Sequence, residues 1–581
     1  EHGDIQYLVF DYLAELTMSL LAGARLKNPE SGYATDFVTS AMAQVLPQVV
    51  SRNIKVITNA GGVNPRACAQ ALEKLAQGLG LKVRIAVVLG DDVMPLLPAL
   101  RDRGVRQMYT GESLPGRLVS ANAYLGAAPI AKALDAGAQI VITGRCVDSA
   151  VTLGALMHEF GWNAGDWDRL AAASLAGHII ECGCQATGGL HTDWQSVPDW
   201  AHIGYPVVEC YPDGSFTVCK PEGTGGLISR ATVGEQLLYE IGDPSAYLLP
   251  DVTCDFRGVT LAETGPDRVL VSGAKGRAPG PQYKVTATYP AGFRCNGELL
   301  VTGFDAAAKA QRSGEALLRR VRDLLQARGL ADFSDTHIDV IGAERCYGPH
   351  ASDHSPRQAV MRVAVTHPEK AALELFAKEV AAAGTSWAPG TSGLGGGRPS
   401  VAMSIRQFPF LVDKSLISAV VEMDGKAWQV PGVEPATGSA DAARPGYGAV
   451  PEPPPVAAEP GVPPDDETLE VPLITLAYGR SGDKGDISNI GIMARHERLL
   501  PVLRAQLTDE AVRSYLSHLV NGAVTRYELP GIGAFNFVCE EALGGGGMAS
   551  LRSDALGKGM AQILLSMPVQ VSGRILRAAA T

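Results

Sequence analysis

Short apolar runs alternate with longer stretches of helical spacing through roughly the first 150 residues. The runs at 7–10, 56–58, 83–89 and 140–143 predict strands, and the last three end in Gly-containing turns with Asn, Asp or Arg. Apolar positions at helical spacing fill 13–26, 65–79 and 127–136. Strands recurring with helices between them predict a parallel sheet with helices outside it. The Gly-rich turns then fall just past the carboxyl ends of strands, where open α/β sheets gather ligands. From about 205 to 300 the pattern changes: runs at 206–211, 216–219, 268–272 and 283–289 are separated by turns, and 306–328 reads as a helix. An α/β lobe followed by an α+β lobe is expected, with a boundary near 200.

Prolines crowd residues 450–465 and deny both helix and ladder hydrogen bonding, which predicts an extended linker. The chain therefore divides into a large part, 1–447 (lobes 1–200 and 201–447), a linker, 448–469, and a small domain, 470–581. The small domain reads strand, strand, helix (501–519), strand (534–538), helix (555–565), an order compatible with an α+β sandwich.

Composition narrows the function classes. A chain of 581 residues is long enough for several domains. Hydrophobic residues at 46% with 19% charged residues are ordinary for a soluble globular protein. A net charge of −11 argues against nucleic acid, which needs a basic face. No run is long enough to span a bilayer, and no signal peptide is recognised in the given sequence, which leaves a cleaved targeting segment ahead of Glu1 open. The 10 scattered cysteines suit a reducing cytoplasm. No dinucleotide, Walker, HExxH, CxxC or GxSxG pattern occurs in the right context, so no cofactor is expected.

The chemistry-bearing residues lie in Gly-rich loops. Gly479-Arg-Ser-Gly-Asp-Lys-Gly-Asp486 crowds Arg480, Asp483, Lys484 and Asp486 around three glycines, with Asn489 just beyond. Such a segment offers cations, carboxylates and backbone amides at one point, or is a solvated hairpin tip. Asn59 and Asn64 flank a turn ahead of Pro65, either an anion-binding helix start or a plain βα turn. Arg145 either holds an anion bidentately or pairs with Asp148. Glu181, Gln185 and Thr187 share one Gly-rich stretch, where Glu181 either transfers a proton or caps a helix. Cys182 and Cys184 beside His178 fit a metal or a set of free thiols, and no metal is assigned. Lys220 and Thr224 lie in a second cationic Gly-rich loop, and Arg398 follows a third, 393–397. Asp91-Asp92 is a carboxylate pair or a helix cap.

These segments carry a resemblance. The 479–492 stretch resembles the C-terminal signature of the acyclic terpene utilisation (AtuA) family. The stretches 3–15, 58–65, 143–148, 177–189, 220–226 and 395–399 are similar to that family as well, so the likeness runs nearly the whole chain. The resemblance implies a C-terminal ferredoxin-like domain and a role in degrading acyclic terpenes. Family members begin with a Gly-rich strand and loop that is absent ahead of Glu1, so a preceding piece is expected. The resulting expectation is a cytoplasmic, homo-oligomeric enzyme working by acid–base, lyase-type chemistry on an acyl-CoA or branched carboxylate. Glu181, Asp483 and Asp486 would move protons, and the other loop residues would bind substrate. The rival is a non-catalytic binding or assembly subunit acting beside an acyl-CoA carboxylase. Neither reading calls for nucleic acid or membrane.

Overall fold

The computed structural model describes residues 3–352, 355–395, 397–433 and 467–579. The Pro-rich stretch 450–465 lies outside the described residues.

The predicted parallel sheet is present. Its order is Tyr7–Phe10, Lys55–Thr58, Ile140–Thr143 and Ile85–Leu89, all parallel. Ile140–Thr143 is buried throughout, as an inner strand covered on both faces must be. Its insertion between two strands earlier in the chain brings Asn59, Asp91 and Arg145 to neighbouring strand ends. The sheet does not end there. Ala419–Met423 pairs antiparallel with Ile85–Leu89, and Lys426–Val430 completes the edge. The lobe boundary expected near 200 is therefore not a clean cut, because about 230 residues separate it from strands belonging to the first sheet. The alternating burial of Ala419–Met423 gives no hint of which sheet it joins.

A second sheet is organised by the strand Gln282–Thr302, expected only as far as 289. Its first half pairs with Ala402–Asp413 and Ser120–Ala123, its second half with Gln358–His367 and Thr391–Gly393. The register with Ala402–Asp413 breaks between Pro290 and Phe293. Helices Ala306–Ala327 and Lys370–Ala383 bury their apolar faces on this sheet. Ser120–Ala123 links the two sheets: Val93 N–H donates to Ala121 O at 2.9 Å and Ala123 N–H to Asp91 O at 2.7 Å.

The C-terminal domain has a four-stranded antiparallel sheet, Ala477–Lys484, Ile487–Ala494, Ala534–Cys539 and Val524–Leu529, with its own core. Val524–Leu529 has no counterpart in the expected order. The helix expected over 501–519 splits into Leu500–Gln506 and Asp509–Tyr515, because Thr508 Oγ1 accepts the Ala511 N–H and starts a new helix. The helix expected over 555–565 shrinks to Met560–Leu564. Upstream, Asp554 accepts the amides of Lys558 and Gly559, and Gly557 takes a φ of +62°.

This domain packs on the helix Arg230–Leu238, which Ser229 and Thr232 start with a reciprocal capping box. Met493, Leu529, Ile532 and Ala534 share one core with Val233, Leu237 and Leu238. The approach is closest at glycines: a Cβ on Gly491 would lie 2.4 Å from Leu238 Cβ. Gly491→Ala should therefore destabilise the protein by about 1–3 kcal/mol. Gly78→Ala, at a helical position with open space, should be neutral or stabilising by about 0.5–1 kcal/mol. Thermal unfolding of both variants checks the contrast, and equal shifts would refute the tight contact.

Candidate functional site

Four carboxyl ends of the parallel sheet converge on Asp11, Asn59, Asp91 and Arg145. Asp11 follows the first strand and is half-buried. Asn59 Nδ2 donates to its Oδ1, while Asn59 Oδ1 accepts the Tyr12 N–H at 2.7 Å. Burial pushes the Asp11 carboxyl up from 3.8 to about 8; Asp148 and Glu181 add to the rise, and Asn59 and Arg145 oppose it. Asp11 therefore holds its proton near neutrality while facing two further acids. Nothing in the loop reading singled it out. The available signal was its place directly after an apolar run, where Asn59 and Arg145 also sit.

Arg145 is 3% exposed. Its Nη1 donates to Leu13 O at 3.0 Å and to Asp148 Oδ1 at 2.7 Å, and its Cζ lies 4.2 Å from the Tyr124 ring centre. The pairing with Asp148 is thus realised. Asp91 accepts the Arg145 N–H at 2.9 Å and Asn122 Nδ2 at 2.8 Å, while burial lifts its carboxyl to about 6. A cavity of about 10 Å³, room for one water, lies among Met18, Asn122, Tyr124, Arg145, Thr286 and Thr288.

Glu181 closes the C-terminal end of the helix Trp167–Ile180 and bonds the ring of His178 one turn back. His178 Nδ1 lies 2.9 Å from Glu181 Oε1, and Nε2 lies 3.0 Å from Gln236 O. Both ring nitrogens face acceptors and neither is committed to Cys182 or Cys184. Burial pulls the His178 pKa down, but Glu181 more than offsets this and leaves it raised. Burial raises Glu181 against the pull of His178. The Tyr247 ring stands 6.2 Å from His178, and burial followed by Glu181 drives its hydroxyl well above its ordinary value.

The hairpin Ala477–Lys484/Ile487–Ala494 reaches this cluster. Only Gly485 and Asp486 form its turn; Arg480, Asp483 and Lys484 lie on a strand, because the pairing runs on to Lys484↔Ile487. Lys484 places its ammonium 5.6 Å from the Tyr247 ring centre. Asp483 and Glu240 both meet Lys558, at 3.3 and 2.9 Å, and Lys558 also donates to the Tyr239 hydroxyl. Arg480 and Asn489 work at the domain junction. Arg480 donates to Gln185 Oε1 at 3.2 Å and to Gly189 O at 3.1 Å, and lies 3.6 Å from Glu235. Asn489 donates to Leu238 O and Asn536 Oδ1, both at 2.8 Å, and accepts the Glu240 N–H at 2.8 Å.

The remaining loop residues are engaged elsewhere. Asn64 donates to Pro29 O and Ser31 O, and Thr187 donates to Cys184 O and Gly204 O. Lys220 meets Thr224 O and Asp267, while the Thr224 hydroxyl donates to Pro221 O. Asp486 Oδ1 accepts the amides of Leu543 and Gly545 and anchors that loop. Arg398 is exposed in the loop after Thr391–Gly393.

Apolar surface adjoins the cluster. Tyr205 is 71% exposed, and a Cβ on Gly183 would lie 3.8 Å from its ring. Leu16 and Leu20 are exposed on the helix Glu15–Lys27 that follows Asp11.

The fold defines a mixed α/β protein carrying a second, small antiparallel domain docked on the helix Arg230–Leu238. The chain matches the acyclic terpene utilisation family protein AtuA over residues 1–423 and the AtuA ferredoxin-like domain over 471–570. It belongs to the AtuA family, which is linked by name to acyclic terpene utilisation. No curated protein and no solved structure matches it. Among the described residues no helix is long and apolar enough to cross a membrane.

The raised Asp11 carboxyl has a signed consequence. Between pH 4 and pH 8 the folded chain holds a proton there that the unfolded chain has lost, so this group lowers stability as pH rises. Asp11→Asn keeps an acceptor for Asn59 and removes the titration. The melting temperature of Asp11→Asn minus that of wild type should grow more positive from pH 4.5 to 8 and level off above. A difference that stays flat with pH would mean that Asp11 is ionised in the fold.

Proposed function

We propose that this protein is an enzyme of acyclic, branched-acid catabolism that moves a proton next to the carbonyl of an acyl thioester or branched carboxylate. The reaction type is a lyase step, in which water adds or leaves, or a carbon–carbon bond breaks. The observation that carries the reading is the half-buried Asp11 carboxyl at the end of the first strand, held protonated near neutrality beside Asp148 and Glu181. Two acids whose environments set different proton affinities are what general acid–base chemistry requires.

In this reading Asp11 donates or accepts the proton at the reacting carbon, and the Glu181–His178 pair serves the other side of the reaction. Lys484 offers its ammonium to the developing oxyanion or to the carboxylate. Arg145 fixes Asp148 and the Leu13 carbonyl and so shapes the Asp11 loop. Tyr205, Leu16 and Leu20 supply apolar surface for a branched chain. Asp483 and Asp486, expected from sequence to move protons, hold Lys558 and a backbone loop instead, so the proton work passes to Asp11 and Glu181.

Proton transfer is testable without knowing the reaction direction. Purified protein incubated in D₂O with a panel of branched saturated and unsaturated acyl-CoA esters should exchange the hydrogen next to the carbonyl, read by mass spectrometry. Asp11→Asn and Glu181→Gln should each slow this roughly 10²–10⁴-fold while the proteins remain folded. Exchange at the wild-type rate in both variants would sink the assignment. Tight binding of an ester with no turnover would favour the non-catalytic binding subunit.

A further inference from the structure

Beyond the hairpin turn, the chain passes through Gly544, Gly545 and Gly546, with φ of +64°, +95° and +87°. Asp486 ties this segment down through the amides of Leu543 and Gly545, at 3.0 and 2.8 Å. The chain then turns, with Ala549 and Ser550 both donating to Gly546 O, at 3.0 and 2.7 Å. Among the described residues, the amides of Gly546, Gly547 and Met548 have no acceptor. A Cβ on Gly546 would lie 2.6 Å from Gly485 O, so the turn is pressed onto the hairpin tip beside Lys484.

Arg294, on the strand Gln282–Thr302, reaches the same turn. Its Nη1 lies 3.4 Å from Met548 O, and no carboxylate among the described residues pairs with it. Its neighbour Arg362 is already satisfied by Asp339 Oδ2 at 2.7 Å and Leu551 O at 2.8 Å. Burial and the charge of Arg362 both pull the Arg294 pKa below its ordinary value. A half-buried guanidinium with a like charge nearby and no counter-ion is unfavourable alone. Backbone amides without acceptors and a guanidinium without a counter-ion are the donor types that hold phosphate, and Met548 brings the two together.

We propose that Arg294 and the amides of Gly546, Gly547 and Met548 form a phosphoryl-binding subsite, which takes a phosphate or diphosphate group carried by the substrate. Assigning that group to the nucleotide end of a CoA thioester rests on the thioester reading above. The acyl end would then enter the Asp11–Glu181 cleft past Lys484.

The test uses the full chain. Calorimetric titration with inorganic pyrophosphate should give saturable binding, at least 10-fold weaker in Arg294→Gln and less affected in Arg294→Lys. Arg319→Ala, on the exposed face of the helix Ala306–Ala327, should leave binding unchanged. All variants are compared at matched melting temperature. In the deuterium assay, Arg294→Gln should raise KM at least 10-fold for a CoA ester, with kcat unchanged and no effect on the matching pantetheine ester. Absence of pyrophosphate binding, or equal binding in a folded Arg294→Gln, would overturn the subsite. Arg294-dependent pyrophosphate binding with equal KM for both esters would assign the subsite to free phosphate and overturn the carrier. Such binding without exchange of any ester would leave the subsite standing and remove the lyase reading.

Discussion

The docking of the C-terminal sheet on the helix Arg230–Leu238 is the constraint on which the rest depends. Its centre is Glu235, which is 0% exposed. His191, the Thr192 amide and the Thr192 hydroxyl all face its carboxylate, and Arg480 from the opposite domain stands 3.6 Å away. Removing one partner of such a buried pair typically costs about 3–5 kcal/mol, because a charge is left without compensation. Asn489 and Asn536 add direction by holding the backbone of residues 238–242. Polar groups that must all be satisfied at once fix one orientation of the two bodies. That orientation carries Lys484 to Tyr247.

The cleft gathers acids where an open sheet would ordinarily favour an anion. Burial raises both Asp11 and Glu181, and the charge of Asp148 adds to each, joined by Glu181 at Asp11 and by Glu240 at Glu181. Arg145, His178 and Lys558 offset part of the negative charge, each through its own carboxylate. Among the described residues, Asn59 gives Asp11 its side-chain hydrogen bond, so retention of a proton relieves the repulsion from Asp148 and Glu181. Lys484 is exposed beside this cluster, with its ammonium over the Tyr247 ring.

Much of the architecture was readable because period and turn chemistry agree. The strands of the parallel sheet, the helices between them and the helix Ala306–Ala327 follow directly from apolar spacing. Asn59 and Arg145 could be placed from sequence because each closely follows an apolar run, and the two lie at neighbouring strand ends. Charge density in a Gly-rich segment proved ambiguous. Arg480 and Asn489 are spent on holding two domains together, and Lys220 on its own loop, yet nothing local distinguishes these uses from ligand binding. Asp11 was missed for the opposite reason. A lone acid among Phe10, Tyr12 and Leu13 carries no motif, and its altered acidity arises chiefly from burial, to which Asp148 and Glu181 add from more than 130 residues away. Such long-range burial has no signature in local spacing.

The return of Ala419–Met423 to the first sheet bears on how the protein is made. While a ribosome is still adding residues, Ile85–Leu89 has one flank without a neighbour, and that flank waits for some 330 further residues. An unpaired apolar strand edge invites pairing with other chains. The nascent protein thus passes through a long interval in which its first sheet is incomplete. Contacts of such sequence separation also slow folding, since closing the loop precedes the reward of pairing. Exposure of that edge during synthesis follows from the chain's connectivity, independently of how stable the finished fold becomes.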